Sequence, residues 1–170
     1  LTLTEQAYAE PDILPVEQAF QLEATAPTRD QIELTWRIAD GYYLYRDRIQ
    51  VVVEPDAIEH APLELSASES KQDEFLGNVQ VFYQSAQGTL RLTTVPDSTQ
   101  SLPLRVTIQG CHEKIPKICY PPHTQSLVVP LPEPSPGIER ASFPISNSAH
   151  SNLVDKANVL GSSLSSTSIE

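Results

Sequence analysis

The sequence has no methionine, two cysteines, one tryptophan and six glycines against fifteen prolines. It also lacks any apolar run approaching the roughly 20 residues of a membrane-crossing helix, and it retains no signal peptide. Each shortage excludes something. Without methionine the chain has no initiator, and it reads as a mature fragment that begins after a processing site, cut from a longer protein. Basic residues are scarce: 11 Lys and Arg stand against 22 Asp and Glu, a formal charge of −11. Such a domain repels phosphate backbones and anionic headgroups, which argues against nucleic acid and membrane surfaces as partners. The plain reading of the charge is solubility. So heavy a proline load excludes long helices and central strands at many places and favours turns, edges and short strands.

The 170 residues are enough for one domain with a substantial core, and a hydrophobic content of 39% is not that of a disordered chain. The apolar residues recur with a period of two. Ile32, Leu34, Trp36 and Ile38 alternate with Glu33, Thr35 and Arg37, and Leu102, Leu104, Val106 and Ile108 alternate in the same way. Shorter echoes are Ile49/Val51/Val53, Val79/Val81/Tyr83, Leu90/Leu92 and Leu127/Val129/Leu131. Each reads as a strand with one buried and one wet face, Trp36 being core. Turn clusters separate them: Ala39-Asp40-Gly41, Glu54-Pro55-Asp56, Pro96-Asp97-Ser98 and Pro121-Pro122. Pro15 to Phe20 is expected to make one short helical turn. Together these signals predict an all-β, antiparallel sandwich over residues 1–132. The first dozen residues are expected to be loosely held. After Pro132 the composition shifts to Glu-Pro-Ser-Pro-Gly and then to a Ser-rich stretch without period. Residues 133–170 are read as a disordered linker towards something once attached beyond it.

The two cysteines stand close together, as Cys111-His-Glu-Lys-Ile-Pro-Lys-Ile-Cys119. The ends of so short a loop meet the reach of a disulfide, and Gly110 lets the backbone turn tightly beside the first sulfur. One reading is a structural staple in a secreted sandwich that only binds partners. Against it, a loop this short contributes roughly 2–3 kcal/mol in the chain-entropy model. A chain of this size has a core of its own, and a sandwich staple would join distant strands. The other reading is a reversible redox pair. Zinc is a third, with His112 and His123 nearby, but Cys111 and His112 are adjacent and point to opposite sides of an extended strand. His60 and His150 read as solvated surface.

Four segments, in order, carry a resemblance: Leu34-Thr-Trp-Arg-Ile-Ala-Asp-Gly-Tyr-Tyr-Leu-Tyr-Arg46, Asp73-Glu-Phe-Leu-Gly77, Gln109-Gly-Cys111 and Cys119-Tyr-Pro-Pro-His-Thr124. From about Val16 to Leu131 the chain resembles the N-terminal periplasmic domain of the DsbD family of thiol:disulfide interchange proteins. The resemblance implies an immunoglobulin-like β-sandwich with catalytic Cys111 and Cys119, binding no cofactor and no metal. It implies a periplasmic domain of an inner-membrane protein, tethered by its tail to a membrane domain. Electrons would come from the thioredoxin-like C-terminal domain of the same protein. They would pass to periplasmic thioredoxin-fold partners, namely disulfide isomerases (DsbC-like) and the cytochrome c maturation thioredoxin (CcmG-like). That makes it a protein-disulfide reductase. The loop between the cysteines, with seven residues, is longer than the family's familiar spacing, which bears on local loop shape and partner fit.

The resemblance also assigns roles. Cys119 is the nucleophile and Cys111 the resolving cysteine. Asp73, Glu74, Phe75, Leu76 and Gly77 form a cap loop whose Phe75 shields the sulfurs. Asp73 and Glu74 beside the sulfurs would disfavour a thiolate; nearby positive charge on Lys114 and Lys117 would favour one, but the plain reading of these two lysines is a solvated loop. Tyr43 and Tyr45 line the active-site region, whereas Tyr42, alternating with them, faces the sheet packing. Pro121-Pro122 holds the exit of the cysteine loop extended.

Overall fold

A computed structural model describes residues 13–135, apart from Pro55. Where the sequence predicts one short helical turn there is α1 (Val16–Ala19), and the rest is strand and turn. In order come β1 (Phe20–Thr28), β2 (Gln31–Ile38), β3 (Tyr42–Tyr45), a 3-10 turn (Arg46–Arg48), β4 (Gln50–Val53), β5 (Glu64–Leu65) and β6 (Glu69–Asp73). They are followed by β7 (Gly77–Phe82), β8 (Ser85–Arg91), β9 (Ser101–Ile108), β10 (Gly110–His112), β11 (Ile118–Cys119) and β12 (His123–Pro130).

The strands form three antiparallel sheets: β1-β2-β8-β5, β11-β10-β3-β7-β6 and β12-β9-β4. Alternation decides which side chains enter the core. On β2 Ile32, Leu34, Trp36 and Ile38 are buried, and on β9 Leu102, Leu104, Val106 and Ile108 are. These residues meet Phe20, Phe82, Leu90 and Val129 in one apolar core. Strand β1 carries no clear signal in the sequence because its inward positions after Leu22 are the small Ala24 and Ala26, half-buried between exposed neighbours.

Strand β3 positions the site, and all four of its residues are buried. By the pleat, Tyr42 and Leu44 join the main core, while Tyr43 and Tyr45 form a second cluster with Val81 and Cys111. The end of the body is tied down from the β1–β2 turn, where Arg29 donates to the carbonyls of Pro132 (2.7 Å) and Pro96 (2.8 Å). Most of the expected linker, from residue 136 onward, lies outside the described residues, as do His150 and the first twelve residues.

Candidate functional site

Cys111 on β10 and Cys119 on β11 are directly opposed across an antiparallel pair, with Cα atoms 4.0 Å apart, and they are joined by a disulfide. Their surroundings differ. Cys111 is 1% exposed, beneath the β3 tyrosines, whereas Cys119 lies on an exposed edge strand. Gly110 is required where the chain enters β10. A Cβ there would come within 2.5 Å of the Phe20 ring and of the Tyr43 carbonyl oxygen, and the backbone cannot give way.

The seven residues between the cysteines are held at several points. The Glu113 amide donates to the Gly41 carbonyl (2.9 Å), and its carboxylate accepts from Lys71 (3.0 Å) and the Tyr83 hydroxyl (3.2 Å). Lys114 pairs with Asp40 at 3.2 Å, and Lys117 with Glu74 at 2.5 Å. His112 is buried, packs at a tilt against Tyr42 with 4.7 Å between ring centres, and shares a hydrogen bond from Nδ1 with the Pro116 carbonyl oxygen (2.9 Å). The rings weighed as zinc partners are engaged elsewhere, since His123 sits 3.6 Å from Glu17.

The cap segment is the tip of the β6–β7 hairpin: Glu74, Phe75 and Leu76 turn, and Gly77, at φ 74°, supplies the left-handed residue that closes a three-residue loop. Asp73 organises it from beneath. One carboxylate oxygen accepts from the amides of Phe75 (2.9 Å) and Leu76 (3.0 Å), the other from the hydroxyls of Tyr45 (2.7 Å) and Tyr43 (3.3 Å). The Tyr45 oxygen in turn lies 3.4 Å from Cys111 Sγ. A continuous polar chain therefore runs from the buried sulfur through a phenol to a buried carboxylate and on to the cap.

The electrostatics follow from this wiring. The hydrogen bond from Tyr45, aided by the cap amides, holds the Asp73 carboxyl below the usual carboxylate range although burial opposes it. Burial raises both phenols: for Tyr45 the Tyr43 hydroxyl and the Asp73 carboxylate add to it, and for Tyr43 burial and Asp73 outweigh the lowering by Tyr45 and Lys71, so both stay protonated as donors. For Lys71 burial acts downward, but its contacts with Glu113 and Tyr83 outweigh it and the ammonium is raised. Its charge also lies over the Tyr43 ring, 4.7 Å from the centroid.

Of the expected site residues, Tyr43, Asp73, Glu74, Phe75, Cys111 and Cys119 line one pocket; Tyr45 and Leu76 line a second, with Tyr45 joined to the first through Asp73, and Gly77 closes the cap turn. One expectation changes. Phe75 is 89% exposed, so its ring does not cover the sulfurs in this structure. Asp73 fixes the turn through the Phe75 and Leu76 amides, and the ring itself stands exposed at the pocket mouth. Lys114 and Lys117 each pair with a carboxylate rather than standing free beside a sulfur. Sequence reasoning missed Lys71, Glu113 and Tyr83. The signal was there for Lys71, which stands two residues before Asp73 and so on the same face of β6.

A family model described as Thiol:disulfide interchange protein DsbD, N-terminal, matches residues 10–130. The thiol:disulfide interchange protein DsbD of Actinobacillus pleuropneumoniae serotype 5b (strain L20) is 41% identical over 130 residues, 73% of this chain and 21% of that protein. DsbD 2 of Pseudomonas aeruginosa is 38% identical over 117 residues, 68% of this chain and 18% of that protein. The chain thus spans about a fifth of the length of these curated relatives. Among solved structures, the Neisseria meningitidis DsbD N-terminal domain in the reduced form is 33% identical with a TM-score of 0.61, covering 69% of this chain and 90% of that one. The complex between the DsbD and PilB N-terminal domains from the same organism gives 33% identity and a TM-score of 0.58, covering 69% and 88%. With the family model matched from end to end of the sandwich, and the cysteine pair set in the same all-β frame, this chain belongs to the family of DsbD N-terminal domains, an immunoglobulin-like fold.

Proposed function

We propose that this domain is a periplasmic thiol–disulfide exchange module that takes electrons from a thioredoxin-like domain of its own protein and reduces disulfides of thioredoxin-fold partners. The reduction of disulfide isomerases and of a cytochrome c maturation thioredoxin is part of this reading. A relative's complex with a PilB domain supports a protein as the exchange partner. The boundary near Pro132, with residues 133–170 as tether to a membrane domain, belongs to the same proposal.

The observation that carries the reading is the asymmetry of the two sulfurs. Exchange begins when a thiolate reaches a sulfur, and only Cys119 is exposed. In the reduced domain the Cys119 thiolate attacks one sulfur of the partner's disulfide and displaces the other as a thiolate. Cys111 then attacks Cys119 Sγ, which releases the partner's second sulfur and restores the Cys111–Cys119 bond. Two electrons, with two protons, pass to the partner. Before that step the Cys111 proton has an acceptor within reach: the Tyr45 oxygen, whose own hydrogen is given to Asp73. The ionised Asp73 disfavours a second negative charge on Cys111. The resolving thiol therefore stays quiet until the mixed disulfide forms. Cap residues 73–77 form one wall of the site, with Tyr43 and Tyr45 as its floor.

Trapping tests the roles. Cys111→Ala should accumulate a mixed disulfide with a thioredoxin-fold partner, and Cys119→Ala should not; the reverse pattern overturns the assignment. The competing reading, an interaction sandwich with a staple, predicts a reduction potential below roughly −300 mV, whereas an exchanging pair lies well above it.

A further inference from the structure

Among the described residues, six large apolar side chains stand exposed: Val52, Phe75, Leu76, Ile115, Ile118 and Val128. Two of them sit in the three-stranded sheet. Of the other four, Phe75 and Leu76 lie in the β6–β7 turn, Ile115 in the loop between the cysteines and Ile118 on β11 next to Cys119, and the most displayed residue between the cysteines is Ile115, at 88% exposure. Isolated exposed apolar residues need no explanation, but a cluster around a reactive atom does.

The loop does not leave Ile115 in water by being slack. Each of its four polar residues has a partner: His112 with Pro116, Glu113 with Lys71 and Tyr83, Lys114 with Asp40, and Lys117 with Glu74. These contacts hold the loop between them and present an isoleucine at its tip. A side chain fixed in advance loses little freedom on binding, which favours association.

A partner bonded to Cys119 through an interface of standard size centred there covers that tip. Ile115 is four residues from either cysteine, so at most about 14 Å away along an extended chain. A standard interface covers about 800 Å² per partner, a disc of roughly 16 Å radius. The charges nearby do not choose the partner. Lys71, Lys114 and Lys117 are each compensated by a carboxylate.

We infer that Ile115 is a docking anchor that selects thiol proteins bearing an apolar groove beside their reactive cysteine. This deepens the exchange reading and rests on it. Recognition runs through apolar contact at the loop tip, and the ion pairs fix the loop rather than attract the partner.

The test compares two reductants of the Cys111–Cys119 disulfide, dithiothreitol and reduced bacterial thioredoxin, in wild type, Ile115→Ser and Val128→Ser. Ile115→Ser should slow thioredoxin by about tenfold or more while dithiothreitol stays within about twofold. Val128→Ser, a change at another exposed apolar residue outside the site, should alter neither rate, and Ile115→Leu should recover most of the loss. A fall of less than about threefold for Ile115→Ser overturns the anchor. So does a selective effect that vanishes in about 0.5 M salt, since that would make recognition electrostatic. If wild type itself shows no preference for thioredoxin over dithiothreitol, the exchange reading fails and the anchor with it.

Discussion

Ile32 and Ile115 are the same residue in opposite circumstances. Ile32 sits on β2 with no exposed surface, and Ile115 stands almost wholly in water. The acids are inverted in the same way. Those of the sandwich body face out, while Asp73 at the disulfide end is buried under two tyrosines. The body obeys the rule that apolar groups go inside, and it obtains its stability from doing so. The disulfide end breaks that rule twice, with a buried carboxylate and exposed apolar loops. Both departures are compensated locally, by four hydrogen bonds to Asp73 and by the ion pairs that hold the loops. Such local departures from a consistent fold mark functional surfaces.

The comparison breaks most visibly under one substitution made twice. Ile32→Ala should cost about 2–5 kcal/mol in chemical denaturation, since it opens a cavity in a packed core. Ile115→Ala should stay within about 0.5 kcal/mol. Equal losses would mean that the loop tip packs in solution. Removing the covalent link comes next. The Cys111→Ser/Cys119→Ser variant should lose roughly 2–3 kcal/mol and still melt as one cooperative β domain. Loss of cooperative folding would make the bridge a staple.

Asp73 gives a smaller effect with a pH signature. Asp73→Asn should cost about 1.5–2 kcal/mol, the lower part of the range for hydrogen bonds to a charged group, because the amide oxygen keeps part of the network. The folded carboxyl is held below its ordinary value, so its stabilisation is complete above the unfolded value of about 4 and is lost as pH falls through the lowered folded value. Wild type should therefore lose more stability than Asp73→Asn between about pH 5 and 2. Denaturation midpoints across that range would check it. Parallel acid limbs would show that the carboxylate charge does not hold the cap network.

Much of this organisation was legible before any coordinates. The alternation of Ile32 to Ile38 and of Leu102 to Ile108 located two central strands, and once the resemblance had set Tyr43 and Tyr45 at the site the pleat turned Tyr42 to the other face. What stayed hidden has physical reasons. Strand β1 turns small alanines inward, and β6 is polar along most of its length, so neither gives a hydrophobic period. The partners of Asp73 come from 28 and 30 residues away, and Lys71 meets Glu113 across 42, pairings that no local pattern encodes. The asymmetry of Cys111 and Cys119 was equally out of reach, because it depends on β10 being interior and β11 an edge.

Phe75 offers the smallest and sharpest effect. Its motif suggested a lid, and its ring is instead exposed while the amides of its turn are fixed by Asp73 and Glu74 is fixed by Lys117. The turn is therefore held by the backbone and by its neighbours, not by the aromatic ring. Phe75→Ala should change stability by less than about 0.5 kcal/mol. Access to Cys119 is already open, so the rate at which a small phosphine reduces the disulfide should stay within about twofold of wild type. Exchange with a protein partner should slow instead, because the ring belongs to the apolar surface that the partner covers. A shield and a docking surface thus predict opposite signs. If the folded variant reacts markedly faster with the phosphine, the ring spends most of its time over the sulfurs and the cap is a lid after all. If only the protein reaction changes, the cap and the cysteine loop are two halves of one contact surface.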